Sequence, residues 1–245
     1  MSRARARSIL FYLGLAPLTV LFSFIGIAIL PLPRHWRYAV ITRWSVLTIA
    51  WLGLACGLRF RVRGQEHIPA TAGVILSKHQ SAWETIALQL IFPRQSQVLK
   101  SELLHVPFFG WGLASLNPIA IDRKAGARAL RTVLKAGAER IRAGWWVLLF
   151  PEGTRVPPGK RGRYTQTGAA LALECECAVM PVAHNAGVFW ARNAVTKYPG
   201  TIDVVIGPPI TTAGKSARAI TQEAEAWIEA TCAQLPLTPA RSDHR

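Results

Sequence analysis

Two short segments hold the residue types that bond-making chemistry needs. The first is Ser77-Lys78-His79-Gln80-Ser81-Ala82-Trp83-Glu84, which follows a run that reads as a strand (Gly73–Ser77) and precedes one that reads as a helix (Trp83–Ile91). His79 therefore sits at a strand exit. Ser81-x-x-Glu84 fits a capping box, in which the glutamate folds back over the start of its helix. A glutamate folded that way also lies beside the loop carrying His79, where it can accept the imidazole N–H, fix the tautomer and stabilise an imidazolium as it forms. Capping and orienting are both open to Glu84. A histidine so held is a general base suited to a hydroxyl, which is a poor nucleophile at neutral pH. The second segment is Phe150-Pro151-Glu152-Gly153-Thr154-Arg155, after the apolar run Trp145–Phe150. Here Gly153 permits an unusual backbone conformation, Thr154 adds a donor and Arg155 offers a planar fork for phosphate. An ordinary turn with a solvated Glu152 and Arg155 would present the same string.

The elements around these segments alternate. Short apolar runs at Gly73–Ser77, Gln97–Leu99, Trp145–Phe150, Val179–Ala183 and Ile202–Ile206 alternate with helix-like stretches at Trp83–Ile91, Lys124–Arg142, Gly168–Glu174 and Ser216–Leu235. That pattern predicts an α/β fold, a mixed sheet flanked by helices. Gly144 closes the Lys124–Arg142 helix as a terminal glycine does, and the strand that follows delivers Glu152 to a carboxyl-end loop, where open α/β sheets bind ligands.

Composition bounds the class. The chain has 245 residues, 51% hydrophobic and 17% charged, with 29 Lys and Arg against 13 Asp and Glu for a net charge of +16. The mean hydropathy is +0.23. A chain this apolar is not disordered, and apolar and basic character together favour an acidic membrane face as partner. Ile9 to Leu30 has no charged side chain and is long enough to cross a bilayer. A second uncharged stretch runs from Trp44 to Leu58. Arg3, Arg5 and Arg7 precede the first, Arg34, Arg37 and Arg43 lie between the two, and Arg59, Arg61 and Arg63 follow the second. Basic residues on every flank suit a helical pair embedded in the cytoplasmic leaflet, with the rest of the chain on the cytoplasmic face. The first run ends in Leu30-Pro31-Leu32-Pro33, unlike the small-residue site of a cleaved signal peptide. The expected organisation is a membrane-associated segment at 1–63, an α/β domain at 64–237 and a polar tail at 238–245.

Taken in order, His79-x-x-x-x-Glu84, Ile119-Ala120-Ile121-Asp122-Arg123, Phe150-Pro151-Glu152-Gly153-Thr154-Arg155 and Val179-Met180-Pro181-Val182 resemble the motif series of the glycerolipid acyltransferases, specifically the 1-acylglycerol-3-phosphate O-acyltransferase branch. The resemblance spans about Gly64 to Pro209. It implies transfer of a fatty acyl group from acyl-CoA or acyl carrier protein to a hydroxyl of 1-acylglycerol 3-phosphate, giving phosphatidic acid without a cofactor. It also implies that His79 is the base and Glu84 its partner, and that Arg155, with Lys100 of Val98-Leu99-Lys100-Ser101-Glu102-Leu103, binds the acceptor phosphate. Arg123 and the Glu152, Gly153 and Thr154 run fall in acceptor motifs as well, although Arg123 also fits a charged helix start and Glu152 a loop-ordering hydrogen bond. The family usually has Asp where Glu84 stands, so the carboxylate here is on a longer arm. The same chemistry on glycerol 3-phosphate or a lyso-aminolipid is the near alternative. A noncatalytic basic membrane-binding protein is the distant one, and it leaves His79 and Glu84 without a reason.

Other signals are weaker. Gly110-Trp111-Gly112-Leu113-Ala114-Ser115 imitates a dinucleotide fingerprint but lacks its last small residue and follows no clear strand, so it reads as a structural or membrane-facing loop. There is no G-x-S-x-G nucleophile elbow. Cys56, Cys175, Cys177 and Cys232 lack framework or zinc spacing, which points to a reducing compartment and no structural metal. His184 after a strand reads as structural. The arginines cluster around apolar segments and not on a nucleic-acid module, so nucleic acid is not an expected partner.

Overall fold

The computed structural model describes Ser2–Pro239, apart from the side chain of Arg123, so most of the expected polar tail lies outside the described residues. Strands β1 (Leu58–Arg63), β2 (Val74–Ser77), β3 (Gln95–Lys100), β4 (Ile119–Ile121), β5 (Trp146–Leu149), β6 (Val179–His184) and β7 (Gly200–Ile206) form one sheet in the order β1-β7-β6-β2-β5-β3-β4. Only β6 and β7 run antiparallel, so the expected mixed sheet is present.

Both faces are covered. Helices α1 (Arg3–Ala28), α2 (Arg34–Cys56) and α3 (Trp83–Ile91) pack on one side, and α5 (Ala127–Arg142), α6 (Thr167–Glu174) and α8 (Ala217–Gln234) on the other, with α4 (Phe109–Ser115) against α1 and the four-residue α7 (Ala186–Phe189) beside β7. Successive strand residues serve opposite cores. Ile75, Trp146, Leu148 and Met180 join the core under α1–α3, whereas Val74, Leu76, Val147 and Val179 join the core under α5, α6 and α8. Two buried faces explain why these strands read as continuous apolar runs without polar alternation. Because β2, β5, β3 and β4 are consecutive parallel neighbours, the loops leaving their carboxyl ends share one edge of the sheet. Those loops begin at Lys78, Phe150, Ser101 and Asp122, so three segments of the motif series, those of His79, Asp122 and Phe150, converge there with the end of β3 that carries Lys100.

Several assignments differ from expectation. Leu58–Arg63, assigned from its arginines to the N-terminal segment, is the edge strand β1, with Arg61 paired to Asp203 on β7. The second helix begins at Arg34 behind Pro33, ten residues before the uncharged stretch, since arginine is a good helix former and no helix stop. The segment around Gly110, read as a loop, is α4: a Cβ on Gly110 would stand 2.2 Å from the Leu104 carbonyl, so its glycine serves close packing and not a turn. The long helix starts at Ala127, after a 3₁₀ turn at Arg123–Ala125. Gly144 takes the left-handed conformation that its terminal position suggests.

Trp83 fixes α3, and so the residue after it, to the core. Its ring is fully buried between Phe60 and His184, both met edge-on at 5.5 and 6.4 Å. Trp83→Ala is expected to cost about 3–5 kcal/mol in urea unfolding; a cost under about 1 kcal/mol would show that α3 is held by something else.

Candidate active site

His79 is held from three sides. Its Nδ1 lies 2.8 Å from Glu84 Oε1. Its ring stacks on Phe150 with centroids 4.0 Å apart and planes 18° from parallel. Its backbone is tied to the loop after β5 at both ends: the N–H donates to Glu152 Oε2 at 3.0 Å, and the carbonyl accepts from the Val156 N–H at 2.7 Å. Glu84 is wholly buried and also accepts from the backbone N–H groups of Gln80 and Ser81 at 2.8 Å, while Ser81 Oγ accepts from the Trp83 N–H at 3.1 Å. One carboxylate therefore caps the helix and holds the imidazole. Burial alone would raise the Glu84 pKa, but His184, His79 and the Ser81 N–H together hold it below the usual carboxylate range. An ionised acceptor at Nδ1 leaves the proton there and the lone pair on Nε2, which has no hydrogen-bond partner among the described residues.

Behind this pair lies a buried charge cluster with no warning in the motif pattern. Lys78, fully buried, gives its three ammonium hydrogens to Glu152 Oε1 at 2.7 Å, Glu229 Oε1 of α8 at 2.7 Å and the Lys160 carbonyl at 3.1 Å. Tyr164 donates to the same Glu229 oxygen at 2.8 Å. Burial disfavours the ammonium, yet the two carboxylates more than offset it and raise the Lys78 pKa. Glu152 is raised in turn, because its own burial outweighs the pull of Lys78. His184 is structural, as its position after a strand suggests: Nε2 lies 2.8 Å from the Lys78 carbonyl, Nδ1 accepts from the Ala186 N–H, and burial lowers its pKa.

A cavity of about 540 Å³ opens beside the histidine. Most of its wall is apolar, from Leu15 and Phe22 of α1, Ile41 and Trp44 of α2, Ile86 of α3 and Leu113 of α4. Phe150, the ring on which His79 stacks, also lines it, as do Thr154, Arg155 and Lys100. Arg155 Nε is buried there without a hydrogen-bond partner, whereas Lys100 pairs with Glu102 at 2.9 Å on the surface. Of the residues singled out from sequence, Lys100, Thr154 and Arg155 thus line the cavity, and His79 and Glu84 stand behind Phe150. Glu152 faces inward with both oxygens engaged, Gly153 turns the loop at φ 65°, and Arg123 opens the 3₁₀ turn beyond β4 with its side chain outside the described residues. Sequence reasoning missed Arg192 and Asn193, which also line the cavity; Arg192 Nη1 donates to the Arg155 carbonyl at 3.2 Å. No local pattern marks that loop, which follows α7 and meets the loop after β5 only in the folded chain. Among the described residues no group of three His, Cys, Asp or Glu side chains is arranged to hold a metal.

The acyltransferase family model matches residues 59–185. The 1-acyl-sn-glycerol-3-phosphate acyltransferase of Pseudomonas aeruginosa is 46% identical over 251 aligned residues, covering 100% of this chain and 97% of its own length. The chain belongs to the acyltransferase family. Among more distant members, the human 1-acyl-sn-glycerol-3-phosphate acyltransferase alpha is 27% identical over 71% of this chain and 62% of its own. The crystal structure of the 1-acyl-sn-glycerophosphate acyltransferase PlsC from Thermotoga maritima has the same fold, with a TM-score of 0.78 over 94% of each chain at 20% identity. This acyltransferase carries His79, Glu84, Glu152 and Arg155 inside the matched segment, while α1, α2, Arg192 and Glu229 lie outside it.

Glu84→Gln separates the two duties of this acyltransferase's carboxylate. An amide keeps one acceptor but turns a donor toward the backbone N–H groups, which is expected to cost about 1–3 kcal/mol of stability. Loss of the charge opposite His79 should lower turnover by roughly two to four powers of ten. Equal turnover in Glu84→Gln and the natural chain, read beside a melting curve, would leave Glu84 as a cap only.

Proposed function

We propose that the protein transfers a fatty acyl group from a thioester to the free hydroxyl of 1-acylglycerol 3-phosphate, giving phosphatidic acid. One observation carries this: an imidazole with a carboxylate on Nδ1 stacks on Phe150, a wall residue of a largely apolar cavity that Lys100, Arg155 and Arg192 also line, and the Nε of Arg155 is buried there without a partner. A cavity of that size and character suits an acyl chain. Arg155 suits a phosphate, which accepts from a guanidinium fork, and Lys100 joins it once released from Glu102. Thr154 and the left-handed turn at Gly153 shape the loop around that anion, and Arg123 stands at the neighbouring strand exit.

The reaction needs no covalent enzyme intermediate and no cofactor. His79 Nε2 takes the hydroxyl proton as the oxygen attacks the thioester carbonyl; the tetrahedral intermediate collapses, the C–S bond breaks, and the imidazolium returns the proton to the leaving thiolate. Glu84 stabilises the imidazolium between the two transfers. Both acyl-CoA and acyl carrier protein present a thioester beside anionic groups, and the +16 charge attracts either. Glu152 acts here as a loop pin, not as a direct ligand, because both its oxygens are engaged. In one assay with labelled donor and a panel of acceptors in detergent, His79→Ala should lower turnover by roughly two to four powers of ten. Arg155→Ala should mainly raise the KM for the phosphate-bearing acceptor, with only partial recovery in Arg155→Lys. Normal turnover in folded His79→Ala would overturn the base; an unchanged acceptor KM in both Arg155 variants would overturn the phosphate site. Preference for glycerol 3-phosphate or a lyso-aminolipid would reassign the acceptor.

α1 and α2 are long and apolar enough to cross a membrane, and they expose Leu13 and Leu54 at 68% and 77%. Yet α1 is tied to the α/β domain near both ends, where Ser8 Oγ accepts from the Lys197 N–H at 2.8 Å and the Gly26 carbonyl accepts from Ser115 Oγ at 3.1 Å. Those ties are about 27 Å apart along the helix, at 1.5 Å per residue. A helix fastened along its length to a globular domain lies in one leaflet with that domain, on the cytoplasmic face given its basic flanks. A cysteine placed at Leu32, in the turn between the helices, should escape an impermeant thiol reagent in intact cells and react after permeabilisation, with the protein resisting carbonate extraction. Labelling of intact cells would mean that the pair spans.

A further inference from the structure

We propose that Glu229 of α8 and Lys78 are positioning residues for His79, acting through Glu152. The chain of contacts is continuous: Tyr164 and Lys78 both donate to Glu229 Oε1, Lys78 donates onward to Glu152 Oε1, and Glu152 Oε2 accepts the His79 N–H. Each link is 2.7 to 3.0 Å long. The inference rests on the reading of His79 as the base and extends it to the C-terminal helix, beyond the segment matched by the family model.

Three features favour positioning over plain stabilisation. First, a buried ion cluster is weak as a source of stability, because desolvation of the charges consumes most of the Coulombic gain. Second, the cluster spends every ammonium hydrogen of Lys78 on a fixed acceptor, so it has one geometry and not several. Third, that geometry ends on a main-chain atom of His79 itself. With Lys78 gone, Glu152, whose burial already favours its neutral form, would take up a proton and loosen its hold on the amide. The imidazole would then shift against Phe150 and Glu84, and a misplacement of about 1 Å in a reacting group can cost on the order of a hundredfold in rate.

The test uses the full chain in detergent micelles with 1-acylglycerol 3-phosphate and an acyl-CoA. Lys78→Met with Glu229→Met replaces the ammonium and one of its two carboxylates by apolar groups of similar volume and leaves Glu152 to take up a proton, so the melting temperature should stay within a few degrees while kcat falls roughly 10- to 100-fold. Both KM values should stay within about twofold, because no substrate contact is removed. Glu229→Gln keeps an acceptor for Lys78 and Tyr164 and should recover most of the turnover. A folded double variant with kcat within about twofold of the natural chain overturns the proposal. So does a rise in KM with kcat held. If the double variant does not fold, Glu229→Met alone leaves Lys78 and Glu152 as a balanced pair; a several-fold loss of kcat at constant KM supports the proposal, and full kcat overturns it. Repeating the substitutions in His79→Ala completes a mutant cycle. No further loss there is expected, whereas a full additive loss shows that the network acts elsewhere. Near-normal turnover of His79→Ala by itself overturns the base, a result separate from these.

Discussion

The hydrogen-bonded register between β2 and β5 is the constraint on which the site depends. Leu76 stands opposite Leu149 across the parallel pair, so the two chains leave the sheet side by side, one as Lys78-His79 and the other as Phe150-Pro151-Glu152. The loop after β5 then closes on the histidine through its N–H, its carbonyl and its ring face at once. A slip of one residue would turn alternate strand residues into the wrong core, and both cores are filled, so the register is fixed by packing on two faces. The stability of the sheet interior thereby sets the spacing of groups that lie outside it.

Electrostatic pairing divides the charged residues near the cavity into two sets. Lys78, Glu152 and Glu84 are buried and Glu229 is half-buried; all four are matched to partners inside the protein, and each ties one loop or helix to another. Arg155 and Arg192 line the cavity, with an Nε on the former that no protein group satisfies. Buried polar atoms are seldom left without a partner, so an orphaned donor at a cavity wall is a place where the protein defers to a ligand. The first set builds the frame, and the second is the one that the proposed function assigns to the acceptor's phosphate.

Much of this was legible in the sequence because the signals were local. Trp83–Ile91 forms the helix its apolar spacing predicts, residue for residue, and Ser81-x-x-Glu84 folds back as a capping pattern should. The placement of His79 and Arg155 at neighbouring strand ends follows from strands exiting into motif loops. What stayed hidden depends on distant parts of the chain. Glu229 is 151 residues from Lys78, and on its own helix it reads as one more surface acid. Leu58–Arg63 reads as a basic flank until β7 pairs with it and Asp203 takes up Arg61. Gly110 and Gly112 suggest a turn by composition; contact with Leu104 and with α1 makes them a packed helix instead.

The N-terminal helices also belong to the cavity. Leu15 and Phe22 of α1 and Ile41 and Trp44 of α2 form one wall of the cavity, facing β3 and α4 on the other side. The wall is therefore not detachable: trimming the chain to a soluble α/β domain would open the cavity along its length to water. A variant chain meant to keep this cavity closed has to keep both helices and change only their outward-facing side chains.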